Sequence, residues 1–163
     1  MPALVLSLLT LAVITPAIAS AADPVLSAEE KAFCTQINQY RAQNGRPALR
    51  VSVSLTNASK WMSNDMATMN YFSHTDSLGR TFVPRLAAFG YSFNTSMAEN
   101  IAAGYASGVS TFNQWKASAG HNTNMLNATY KVIGIGRAYS ATSTYKYYWT
   151  TDFGGYADRT IPC

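Results

Sequence analysis

Charge is what this sequence has least of. Only 12% of its 163 residues are Asp, Glu, Lys or Arg, and the formal net charge is +4, so Ser, Thr, Asn and Tyr must carry the surface. The sequence pI is about 9.1, yet the Lys and Arg residues are scattered, with no run or helical stripe of them. That excludes nucleic acid as an expected partner. No H-E-x-x-H, P-loop, G-x-S-x-G elbow or C-x-x-C is present, so any site must be assembled from distant segments. Cysteine and histidine are equally scarce, at two each.

The two cysteines are Cys34 and Cys163. In an oxidising compartment they are expected to pair, stapling the C-terminal tail to the first helix; free buried thiols are the alternative. Such a compartment is suggested by residues 1–22, which hold no charged residue and carry the apolar run Leu4–Ile14, then Pro16 and the small residues of Ala17-Ile-Ala and Ser20-Ala-Ala. This outline is a signal peptide, although the usual basic residue before the run is missing. The run falls short of the ~20 residues a spanning helix needs. Residues 23–163 are therefore expected to form a single secreted domain, monomeric and with no stable membrane span once the signal is cleaved; an uncleaved anchor is the alternative.

Periodicity divides this domain into helices followed by strands. Ser27 and Glu30 form a capping box, and Phe33, Ile37 and Tyr40 recur at helical spacing, which predicts a helix over 28–43 ending at Asn44-Gly45. On it Arg41 reads as a solvated or capping cation. A second helix is predicted over 55–70 from Leu55, Ala58, Met62, Met66 and Met69, whose methionines are core filler. A third, short helix carries Phe82, Leu86 and Phe89 with Pro84 in its first turn. A fourth covers 110–118 and is ended by Gly120. From Tyr130 the period changes to two: 130–139 and 145–153 are β-branched and aromatic, separated by Ser140-Ala-Thr-Ser-Thr144, and read as an antiparallel hairpin. Helices covering a sheet on both sides make an α+β fold.

Three polar side chains stand out against this frame. His74 lies in Asn70-Tyr-Phe-Ser-His-Thr-Asp-Ser-Leu-Gly-Arg80, a polar loop leaving the second helix; a solvated turn histidine is the alternative. Glu99 sits in Met97-Ala-Glu-Asn-Ile-Ala-Ala-Gly104, read as a loop, where a carboxylate among apolar neighbours needs a partner; capping of backbone N–H groups would also satisfy it. His121 follows Trp115-Lys-Ala-Ser-Ala-Gly120, just past the fourth helix.

Taken in order with Gly134-Ile-Gly136 and Trp149-Thr-Thr-Asp-Phe-Gly154, these segments resemble the CAP superfamily, which includes cysteine-rich secretory proteins, insect venom antigen five and plant pathogenesis-related proteins. The resemblance runs from Ser27 to Gly154 and is closest to the short microbial SCP-like branch. It implies a three-layer α-β-α sandwich with a central antiparallel sheet, and a cavity gathering His74, Glu99 and His121. It further implies that His74 and His121 can ligate a divalent cation, zinc or another, with Ser118 standing near the place where longer forms carry a second glutamate. Two functions follow as expectations. One is a secreted binding or signalling module for an extracellular lipid, sterol, glycan or protein. The other is a metal- or histidine-dependent hydrolase acting on peptides or cell walls, with Ser73 and Ser118 the nearest hydroxyls by motif.

Overall fold

The computed structural model describes residues 22–163; the expected signal peptide therefore lies, but for Ala22, outside the described residues. Helix α1, Ala28–Gln43, begins as its capping box dictates: Ser27 N–H donates to Glu30 Oε2 at 2.7 Å and Glu30 N–H to Ser27 Oγ at 3.3 Å. It ends at Asn44, with Gly45 at φ +66°. Strand β1, Arg50–Ser52, leads straight into α2, Val53–Met69, capped by Ser52 Oγ. Then come α3, Phe82–Ala88, β2, Met97–Ala103, and α4, Gly108–Ala117. Helix α5, Ala119–Leu126, precedes β3, Val132–Tyr139, β4, Tyr147–Gly154, and β5, Thr160–Ile161.

The five strands form one sheet in the order β2-β4-β3-β1-β5. Three pairings are antiparallel, and β1 pairs with β3 in parallel, so the expected antiparallel sheet is mixed at one seam. Alternation along the strands sends side chains to two cores. Ile133, Ile135, Trp149 and Phe153 meet Phe33, Ile37, Phe112 and Trp115 of α1 and α4 on one face. Ile101, Tyr148 and Val132 meet Leu55, Met62, Met66 and Leu86 of α2 and α3 on the other. The result is the three-layer α-β-α sandwich. The expected bridge is formed between Cys34 and Cys163, with Cα atoms 5.9 Å apart and a sequence separation of 129, and no cysteine is left free.

Two local readings are corrected, and for Arg41 the capping alternative holds. Segment 97–103 is a strand, because all seven of its residues pair with β4; its Ala-rich composition hides a preference that pairing supplies. Gly120 does not end a helix: the chain breaks at Ser118, in extended conformation, and α5 starts at once with Gly120 inside it. Arg41 is fully buried, donating from Nη1 to Met125 O at 2.7 Å and Asn127 O at 3.0 Å, so it caps the end of α5 rather than meeting solvent.

Candidate functional site

The loop bearing His74 is shaped by two aspartates. Asn70 closes α2 in the left-handed region at φ 54°, turning the chain so that Tyr71 OH meets Asp65. The same carboxylate accepts from Ser77 N–H at 2.9 Å and Ser77 Oγ at 2.6 Å. Asp76 closes the turn itself: Oδ1 accepts from Leu78 N–H at 3.0 Å and Arg80 N–H at 2.8 Å, and Oδ2 from Arg80 Nε at 2.9 Å. Gly79, at φ +76°, supplies the backbone conformation that this turn requires.

His74 projects from this loop with 58% of its side chain exposed, while its Nδ1 lies 2.8 Å from Oε1 of Glu99, a carboxylate only 1% exposed. Burial demands compensation, and α3 provides it: Arg85, fully buried, pairs through Nη2 with Glu99 Oε2. Arg85 Nη1 also reaches His74 O at 3.4 Å and stands 3.8 Å from Asp76 Oδ2. One guanidinium thus ties together the His74 loop, α3 and β2. Because Glu99 accepts at Nδ1, His74 keeps Nε2 as its free ring nitrogen.

His121 approaches from the other layer, in the first turn of α5. Its carbonyl accepts from Asn100 Nδ2 at 3.1 Å, and Asn100 Oδ1 accepts from Asn124 Nδ2 at 2.8 Å. Its ring lies 5.8 Å from that of Trp115, and its Nδ1 is buried with no hydrogen-bond partner. Burial and then the nearby His74 charge hold its imidazole below the ordinary histidine range. The two histidines face one cavity of about 410 Å³, walled by Phe72, Tyr105, Gln114 and Tyr145 as well. Ser73 lines it, but its Oγ accepts from Thr75 N–H at 3.0 Å; Ser118 lies in a neighbouring depression instead.

The donor set bears on cation binding. Among the described residues no cluster of three or more His, Cys, Asp or Glu side chains is arranged to hold a metal ion. Glu99 is already engaged by Arg85 and His74, so it suits the role of orienting His74 rather than ligating. A carboxylate on the far ring nitrogen is the outer-shell partner that metal-binding histidines commonly have. His74 Nε2 and the unpartnered His121 therefore fit an open, two-imidazole site, and do not fit a closed four-ligand cage.

Arg85 and Asp152 are the site residues that sequence reasoning missed. Arg85 lies three residues after Phe82, on the same stripe as Leu86 and Phe89, and a cation on an apolar stripe is a legible signal. Asp152 interrupts a run of aromatic and β-branched residues in β4 and is fully buried.

Comparison with known proteins gives a consistent set of relatives. Residues 35–153 match the cysteine-rich secretory protein family, CAP. An uncharacterized protein of Bacillus subtilis, YkwD, is 30% identical over 136 residues, which are 83% of this chain and 51% of that protein. An uncharacterized membrane protein of the same species, YlbC, is 29% identical over 112 residues, 69% of this chain and 32% of that protein. The chain thus spans about half of one curated relative and a third of the other. Among solved structures, an extracellular SCP-domain protein of Bacillus anthracis superposes with a TM-score of 0.67 at 28% identity, over 76% of this chain and 39% of that one. An outer surface protein of Borrelia burgdorferi gives 0.71 at 21% identity, over 82% of this chain and 97% of that one, a likeness of fold.

Proposed function

The chain belongs to the cysteine-rich secretory protein (CAP) family, and from that premise we propose that it is an extracellular binding or signalling module whose cavity holds a divalent cation between His74 and His121. Secretion is supported by the signal-like residues 1–22 and by the Bacillus anthracis relative, described as extracellular. Among the described residues no helix is long and apolar enough to cross a membrane.

The observation that carries the proposal is the pairing of His74 Nδ1 with buried Glu99 beside the unpartnered Nδ1 of His121, both rings lining one cavity. Zinc suits two neutral imidazoles, with water or a ligand atom completing its shell. When bound, the cation would supply a Lewis-acidic point for an oxygen or nitrogen donor of the ligand. The protein's own part is to orient: Glu99 fixes the His74 ring, Arg85 holds Glu99, and the walls of Phe72, Tyr105 and Tyr145 offer apolar area to a lipid, sterol, glycan or protein segment. Hydrolysis has less support, since among the described residues no serine, threonine or cysteine is hydrogen-bonded to either imidazole.

Zinc titration calorimetry on the metal-stripped protein, beside the His74→Ala/His121→Ala double variant, tests this reading. Binding at about micromolar Kd or tighter is expected in the parent and none in the variant. Parent affinity should also fall as the solution is acidified, since protonation removes the coordinating lone pairs. Equal behaviour of the two proteins would make the histidines structural and end the proposal.

A further inference from the structure

A second carboxyl group stands behind Glu99, and it has no cation of its own. Asp152 on β4 is directly opposite Glu99 on β2, so the two side chains leave the sheet on the same face. Asp152 is fully buried; its Oδ2 accepts from Ser59 Oγ at 2.7 Å, while its Oδ1 has no partner. The surrounding elements contribute few charges. Helix α2 brings the Ser59 hydroxyl, and β3 brings Gly134, which has no side chain. Helix α3 brings Arg85, whose Nη2 is paired with Glu99 and whose Nε is without a partner, and the His74 loop brings Asp76, paired with Arg80 and 3.8 Å from Arg85 Nη1.

An ionised Asp152 would be a third carboxylate around one buried guanidinium, with Oδ1 left stranded. Two carboxyls sharing a site do not both ionise readily. Glu99 is the member that holds the arginine, so the proton belongs on Asp152, where an O–H can serve an acceptor that a second carboxylate could not. Burial first, and then the Glu99 charge, push the Asp152 carboxyl well above the usual carboxylate range, against the smaller opposing effects of Arg85 and Ser59.

We propose that Asp152 is a neutral carboxylic acid at physiological pH, that it donates its O–H to Glu99, and that this buried acid–carboxylate pair is a positioning device holding Glu99 on His74 Nδ1–H. Glu99 is then fixed from three sides: Arg85 from α3, Asp152 from β4 and His74 from the loop. Its hold on Nδ1–H keeps the His74 lone pair on Nε2, toward the cavity. The pair is made of protein atoms alone, so it stands or falls independently of cation binding.

The test is carbon-13 NMR of the cation-free full chain, following the backbone-assigned Cγ of Asp152 from acid to neutral pH. A shift characteristic of the neutral acid, persisting near pH 7 where an ordinary aspartate is ionised, is expected. A carboxylate shift already complete near pH 5 would overturn the proposal, and this measurement needs no variant. Nitrogen-15 spectra of His74 then separate positioning from general packing. Asp152→Asn keeps a donor and should keep the Nε2-unprotonated tautomer, whereas Asp152→Leu should show loss of that preference as a mixture of tautomers. The same tautomer ratio in both variants would also overturn it.

Discussion

Arg85 is the residue on which the whole site depends, since it touches Glu99, the carbonyl of His74 and the neighbourhood of Asp76 at once. A charge taken out of water is tolerated only where partners replace the lost solvent. His121 has no such partner at Nδ1, and this has a pH consequence. Its folded-state imidazole binds a proton less readily than in the unfolded chain, through burial and then the His74 charge. The unfolded state therefore binds more protons below the ordinary histidine pKa of about 6.5, and stability contributed above that pH is lost as pH falls through the folded value. The raised Asp152 carboxyl acts in the opposite sense over the same range, adding stability as pH falls, so the His121 contribution is read as a difference between two proteins. In urea denaturation between pH 8 and 5 the stability of the parent relative to the His121→Gln variant should fall with pH; a constant difference would assign the pH dependence to other groups. At this scale His74, Glu99 and His121 were legible as polar residues in unusual settings. Their contacts were not, because Arg85 lies 11 residues from His74 and 14 from Glu99 along the chain.

Elements approach one another closely where α2 crosses β3. A Cβ added at Gly134 would lie 2.2 Å from the Leu55 carbonyl carbon, and one at Gly136 2.2 Å from that of Ser59. Helix backbone thus rests directly on strand backbone, which is what two glycines spaced by one residue permit. Ser63 Oγ adds bonds to Gly136 O and Thr150 Oγ1, each at 3.0 Å, so the crossing places Ser59 against Asp152. Gly136→Ala should cost about 1–3 kcal/mol by overpacking. Gly120→Ala, with nothing within 4 Å of the added atom, should be neutral or stabilise by up to about 1 kcal/mol. Thermal and urea unfolding of the two variants gives the comparison, and similar losses in both would show that the α2–β3 approach is not the tight contact. The periods of α1, α2 and the hairpin are visible in the sequence because each presents a continuous apolar face. Strand β2 is not, since Met-Ala-Glu-Asn-Ile-Ala-Ala alternates weakly and acquires its conformation from seven pairings with β4.

For the molecule as a whole, the Cys34–Cys163 bridge joins α1 to the end of the chain, beside the short edge strand β5. Closing so long a loop restricts the unfolded ensemble, and removing such a bridge from a small domain costs roughly 2–5 kcal/mol. The Cys34→Ser/Cys163→Ser variant should unfold at correspondingly lower denaturant; an unchanged midpoint would mean that packing of α1 against α4 suffices. The family and the order of the major helices and hairpin could be read from the sequence, and His74, Glu99 and His121 stood out in it as polar residues, because all of these rest on local period, capping and motif order. What only the tertiary structure decided is which residues complete the site. The sheet register sets Asp152 opposite Glu99, α3 brings Arg85 beneath them, and α5 turns His121 toward the cavity of His74. Those meetings depend on strand register and on helices crossing the sheet from both faces, and neither leaves a local signal in the chain.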